Sequence, residues 1–330
     1  MRRRGRILTG IVALLLALPL AACGGDGDGE LTDVTIGLSF VPNIQFAPYY
    51  IADAKGFYEE AGVNVSLNHH GVGADLFAAL VAGQETMMMA GGDEVLQARG
   101  NDVPLVYVAE IYTQYPVGLI VPADSDIMSI AGLRGHTVGI PGAYGANYIG
   151  LLALLDSAGL TEADITVESV GFTQASALLA GHVDAVMGYV NNEPIQISKA
   201  GMEVRVFPVS DVQPLVSNGL VALEETLSDD RDTIEAIVAA TLRGAQYAID
   251  NPDEAVEIAR DYVPTLTTEE NLADARAVLD ATLPMWEPTG APGESEPASW
   301  ESMLAFFEEY GFVTAEIDLS EVYSNDYLPD

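Results

Sequence analysis

Short apolar runs alternate with amphipathic stretches along most of this chain. "VTIGLSF" (34–40) precedes a helical pattern near 44–54, and "VNVSL" (63–67) precedes "ADLFAALVAG" (74–83). "TMMMAG" (86–91) leads into "DEVLQARG", and "VPLVYVAEI" (103–111) closes this first series. After "VGLIVPADS" (117–125) a second series runs through "HTVGIPG" (136–142), the helix "ANYIGLLALLDSAG", "ITVESVG" (165–171), "ASALLAG", "VDAVMGYV" (183–190) and "EVRVFPV" (203–209). Strands alternating with helical patterns predict parallel α/β units. Beyond "SNGLVAL" (217–223) the period becomes helical, over 231–250, 252–262, 268–283 and 300–312, with a Pro/Gly/acidic loop at 287–297.

Two α/β lobes joined by a hinge of two extended crossings, with a ligand cleft between them, account for this order. The expected division is lobe 1 over 33–116 and 222–330 and lobe 2 over 117–221.

The N-terminus changes the picture. Residues 1–22 hold four arginines, an apolar run from Ile7 to Leu20 and then small residues. The run is too short to span a bilayer, so the pattern predicts an export signal. Its end, "LAAC", resembles a bacterial lipobox, which implies acylation of Cys23 and an anchor on the extracytoplasmic face of the cell membrane. Cys23 is the only cysteine, so no disulfide framework and no thiolate metal site is expected. Residues 23–32, including "GGDGDGE", read as a flexible tether. Past residue 22 the chain carries 9 Lys+Arg against 49 Asp+Glu, a balance of −40. That charge excludes nucleic acid, whose phosphates need clustered cations.

Ligands in open α/β sheets bind beyond the carboxyl ends of strands, and a clam sets two such edges face to face. The residues found there recur in kind: Asn43, Gln45, Phe46 and Tyr49; Asp93 and Glu94; Tyr112 and Tyr115; Tyr144, Asn147 and Tyr148; Phe172 and Gln174; Tyr189, Asn192 and Glu193. No cation stands among them. An anion would require arginine or lysine, whereas a flat neutral aromatic molecule suits tyrosine faces with amides at its edge. The expected stacking set is Tyr49, Tyr115, Tyr144 and Tyr148. Asn43, Gln45, Gln174 and Asn192 are expected to bond the ligand's edge, with Asp93 or Glu193 accepting from its N–H or hydroxyl groups.

Some of these residues have a plain structural alternative. Asp93 reads equally as a helix cap and Asn191 also as an N-cap. Tyr50 reads as core, "MMM" (87–89) as a buried strand, and the four histidines as surface or loop residues without metal spacing. No nucleophile elbow, H-E-x-x-H or P-loop occurs, so no enzyme, no metal and no cofactor is expected.

"PNIQFAPYYIADAKGFYEEAGVNV" resembles the opening signature of the NMT1/THI5-like solute-binding proteins, and the order of elements matches that group over the mature chain. The resemblance implies a periplasmic-binding-protein type II fold and a role as the capture component of an ABC importer, working with membrane permease subunits as a monomer. Within the group, "IYTQYPVGLI", "GAYGANYIGL", "GFTQASALLAGHVDAV", "YVNNEP" and "LVSNGL" resemble the riboflavin-binding members, which implies riboflavin as the transported ligand. A thiamin-precursor pyrimidine is the alternative. The pyrimidine-synthase branch carries a cysteine-rich motif that has no counterpart here.

Overall fold

The computed structural model describes residues 31–71 and 76–329. The signal segment, Cys23 and the tether up to Glu30 lie outside the described residues. Ten strands form two five-stranded sheets. The first contains β1 (Thr32–Leu38), β2 (Val63–His69), β3 (Met87–Gly91), β4 (Leu105–Glu110) and β10 (Asn218–Leu223), in the order β2-β1-β3-β10-β4. The second contains β5 (Val117–Pro122), β6 (Thr137–Ile140), β7 (Thr166–Ser169), β8 (Ala185–Tyr189) and β9 (Val204–Pro208), in the order β7-β6-β8-β5-β9.

The parallel pattern expected from the alternation holds for β2-β1-β3 and for β7-β6-β8. It fails where the chain passes between sheets. β5 runs antiparallel to β8 and β9, and β10 runs antiparallel to β3 and β4. Each is the first strand after a crossing, so it enters its sheet from the end where the other strands finish. Hydrophobic alternation does not report strand direction.

The strands are apolar throughout because both faces are covered. Met87 and Met89 of β3 face one core, shared with the helices Ala47–Ala54 and Arg231–Asp250. Met88 faces the other, a continuous core that takes in Tyr115, Leu119, Ile149 and Trp300 and so runs through both sheets. The triple methionine is therefore strand core. Among the described residues no helix is long and apolar enough to cross a membrane. The pattern 74–83 is helical only over Ala78–Val81, and part of it falls outside the described residues.

The helix Arg231–Asp250 begins and ends where its periodicity predicts. Its middle approaches Ala47–Ala54 through Gly244, where a Cβ would stand 2.1 Å from the Pro48 carbonyl oxygen. Alanine is intrinsically the better helix former by about 1 kcal/mol. Backbone cannot yield as a flexible side chain would, so the close approach decides. Gly244→Ala is expected to destabilise by about 1–3 kcal/mol in urea unfolding, the usual range for overpacking. A gain in stability would mean the two helices do not pack at this distance.

Candidate functional site

The carboxyl ends of the parallel strands converge on a cavity of about 260 Å³. Beyond β1 come Ser39, Phe40, Asn43, Gln45 and Phe46; β3 supplies Met89 and, just past it, Asp93 and Glu94; Tyr112 follows β4, and Asn218 opens β10. From the second sheet come Pro141 and Tyr144–Asn147 after β6, Phe172 and Gln174 after β7, and Tyr189, Asn192 and Glu193 at the end of β8.

Aromatic faces from both sheets meet across this space. The Phe40 and Phe172 rings lie 5.7 Å apart. Tyr144 and Phe172 are 61% and 48% exposed, unusual for side chains of this size, and both line the cavity. Tyr144 folds over Gly142 so closely that a Cβ there would fall 2.3 Å from the ring. Phe40 is held from behind, because His69 Nδ1 lies 2.8 Å from its carbonyl oxygen and Tyr50 Oη lies 2.9 Å from His69 Nε2. Burial lowers the His69 pKa, so the ring is neutral and donates from Nδ1 to Phe40 while accepting from Tyr50. His69 also meets Phe46 edge-on at 5.1 Å. It is a bracing group, not the surface or loop histidine that the sequence suggests.

Several candidate polar groups are spent on the backbone or on neighbouring side chains. Asn43 Oδ1 accepts from the Gln45 amide at 2.8 Å and its Nδ2 donates to the Val41 carbonyl at 3.1 Å. Asn192 bonds Glu193 and Gln196. Glu94 Oε2 accepts from the Gly91 amide, and Glu193 Oε2 from the Tyr189 amide at 2.7 Å. Asn191 is not an N-cap: it is fully buried and donates to Thr282 Oγ1. Asp93, 2% exposed, and Asn147, 9% exposed, each keep one buried oxygen without a partner among the described residues. Burial raises the Asp93 pKa above the ordinary carboxylate range, and burial with the neighbouring Asp93 charge does the same to Glu94. Glu193 is raised chiefly by burial.

Three expected contacts are not at the cavity. Tyr49 is wholly buried in the first sheet's core, because its helix turns Tyr49 and Tyr50 inward. Tyr115 is buried in the core that joins the sheets, its hydroxyl 3.4 Å from the Ala146 carbonyl. Tyr148 turns away from the cavity to Glu162 and the edge of Phe312. Of the expected stacking tyrosines only Tyr144 reaches the site. Sequence reasoning missed Ser39, Phe40, Met89, Pro141, Gly145, Ala146 and Asn218 as lining residues. Phe40 follows β1 and obeys the rule that found the others, whereas Asn218 opens β10 and reaches the same edge because that strand runs antiparallel.

No lysine, arginine or histidine lines the cavity, and no metal-binding cluster occurs among the described residues. A second hollow adjoins it at Glu94, Tyr144 and Gly145, walled by Leu76, Phe77 and Val81.

Two mixed sheets whose strand ends enclose one cavity define a type II periplasmic-binding-protein fold. The chain belongs to the NMT1/THI5-like family, whose pattern matches residues 43–255. It is 33% identical over 95% of its length to 91% of the riboflavin-binding protein RibY of Chloroflexus aurantiacus. It is 26% identical over 96% of its length to 98% of a formylaminopyrimidine-binding protein of Halalkalibacterium halodurans. In structure it resembles the periplasmic aliphatic sulphonate binding protein SsuA of Escherichia coli, with TM-score 0.71 and 19% identity, covering 88% of this chain and 91% of that one.

The raised Asp93 pKa carries a sign. The folded protein holds this proton more tightly than the unfolded chain, so stability is full below pH ~4 and falls as pH rises through the folded value. Asp93→Asn cannot ionise. It is expected to be as stable as the wild type at pH 4 and more stable at pH 7.5, by the order of 2–3 kcal/mol for a carboxyl raised to about 6. Equal melting at both pH values would remove the buried charge from the account.

Proposed function

We propose that the chain captures riboflavin for uptake, as the lipid-anchored, extracytoplasmic binding component of an ABC importer. The observation that carries this reading is a cavity with Phe40 and Phe172 meeting from opposite sheets and with carboxylates but no cation in its wall. A flat, uncharged, hydrogen-bonding ring system suits it. A sulfonate, nitrate or phosphate does not, because nothing there answers its charge. The similarity to a protein named for riboflavin binding supports the same ligand.

In this reading 33–116 with 218–330 moves against 117–217, the sequence-based boundary at 222 shifting because the whole of β10 (Asn218–Leu223) is paired in the first sheet, and closure buries the isoalloxazine among Phe40, Tyr144 and Phe172. The closed form docks on permease subunits. Cys23 carries the lipid anchor and the chain works as a monomer, without catalysis. The cavity alone is modest for a three-ring ligand, and the hollow beyond Tyr144 gives the molecule room to extend. That modest volume favours the second reading, a thiamin-precursor pyrimidine, which the Halalkalibacterium relative also supports.

Titration of riboflavin with the purified protein is expected to quench flavin fluorescence with sub-micromolar affinity, and excess pyrimidine is expected not to compete. FMN is expected to bind at least about tenfold more weakly, or 1.4 kcal/mol, because its phosphate meets carboxylates. Phe172→Ala is expected to cost riboflavin about 0.5–1.5 kcal/mol of stacking. Absence of quenching, with tight binding of the pyrimidine, would transfer the assignment to the second reading.

A further inference from the structure

We propose that Asp93 and Asn147 divide the recognition of the ligand's donors, Asp93 accepting from a ring imide N–H and Asn147 from a hydroxyl of the side chain. The inference rests on the riboflavin reading and adds to it which atoms of the flavin the protein requires.

The other carboxylates at the cavity are already engaged. Three carboxylates line the cavity, but Glu94 is held by the Gly91 amide, and Glu193 by the Tyr189 amide and the Asn192 carboxamide. Their lone pairs already serve the turns that hold the wall. Asp93 Oδ2 and Asn147 Oδ1 are the cavity-lining side-chain oxygens that are buried with no partner among the described residues. A buried acceptor left unpaired costs about 1–3 kcal/mol, and a charged one more. Two such atoms in one cavity mark where a ligand's donors belong.

Their placement sets the pattern. Asp93 stands in the first turn of the helix Gly92–Arg99, after β3 of the first sheet, and Asn147 in the first turn of Gly145–Ser157, after β6 of the second. A ligand satisfying both must offer donors toward both sheets. Isoalloxazine has one N–H, at N3, and its carbonyl oxygens with N1 and N5 are acceptors. The remaining donors of riboflavin are the hydroxyls of its polyol chain. A carboxylate is the stronger acceptor and makes the charge-assisted bond. It therefore pairs with the imide N–H, the more acidic donor, and the neutral amide oxygen takes a hydroxyl.

The test uses three probes on the purified protein: riboflavin, its N3-methyl derivative, which lacks the N–H, and lumiflavin, which lacks the polyol. The wild type is expected to prefer riboflavin to each analogue by at least tenfold. Asp93→Ala is expected to bring the riboflavin to N3-methyl ratio close to one while the preference over lumiflavin persists. Asn147→Ala is expected to do the reverse. If Asp93→Ala does not fold, Asp93→Asn takes its place, and the riboflavin to N3-methyl ratio is expected to fall in it as well. Riboflavin bound as tightly as its N3-methyl derivative would overturn the inference and leave the riboflavin reading standing. Failure of all three flavins to bind would overturn both. A wild-type preference that survives unchanged in Asp93→Ala would assign the N–H to another acceptor and refute the division.

Discussion

The insertion of β10 between β3 and β4 is the constraint from which the site follows. The chain returns from the second sheet and must enter the first from its carboxyl edge, so β10 runs against its neighbours. Its opening residues bind everything at that edge. The Asn218 carbonyl accepts from the Ile111 and Tyr112 amides at 3.1 and 2.9 Å, and the Ser217 carbonyl accepts from Gly92 at 3.1 Å. One end of one strand thus fixes both the outgoing crossing and the start of the helix bearing Asp93. The fit has no slack, since a Cβ at Gly219 would lie 2.2 Å from the Ala109 carbonyl oxygen and the Tyr107 ring. Interior ladders open last in a folded protein, so the wall carrying Asp93 and Tyr112 is a rigid one.

The electrostatics of the cavity are governed by capping as much as by recognition. In a body with 49 acidic residues, carboxylates at strand ends carry little information by themselves. What distinguishes them is where their lone pairs go. Glu94 and Glu193 each turn back onto a backbone amide within four residues in sequence, and both keep a local role. Asp93 lies between them in character: buried and destabilised in its charged form, with an oxygen left over. A ligand donor offsets part of that cost. The empty protein therefore carries a penalty that binding relieves, and this is how a modest set of contacts becomes selective.

How far the sequence foretold this depended on which kind of rule applied. Strand ends are set by topology, so the rule that ligands gather beyond them found Asp93, Tyr112, Asn147, Phe172 and Tyr189 without any coordinates. Helix phase is set by where a helix begins, and the sequence did not show that. The helix after β6 starts at Gly145, which turns Asn147 to the cavity and the adjacent Tyr148 outward. The tyrosines chosen for stacking are big enough to be core, and Tyr49 and Tyr115 became core. Asn43 and Asn192 reach the cavity wall as expected, but their side chains already bond neighbouring groups. A short amide at a turn satisfies nearby groups before it reaches anything else. Phe40, an apolar residue closing a strand, carried no polar signal, and its role depends on the His69 brace behind it.

The ties between the two sheets also bear on what binding must accomplish. Lys199, on a helix following β8, reaches Glu270 and Asp274 of the helix Glu269–Trp286 at 2.9 and 2.6 Å, and Asn191 meets Thr282 of the same helix. The lysine is about half exposed, and ion pairs of that kind contribute about 0–1 kcal/mol each and fade with salt. The Asn191–Thr282 bond adds about another 1 kcal/mol. Polar ties of this size add little to the continuous core that joins the sheets, so in the proposed hinge motion they leave the equilibrium between open and approached arrangements for the ligand to shift. A ligand shifts such an equilibrium only by its differential affinity for the two states. Phe40 with Phe172, and Asp93 with Asn147, are pairs whose members come from opposite sheets, so only the approached arrangement offers both halves at once. In the proposed reading, the residues assigned to the ligand are the same ones that give it leverage over the hinge.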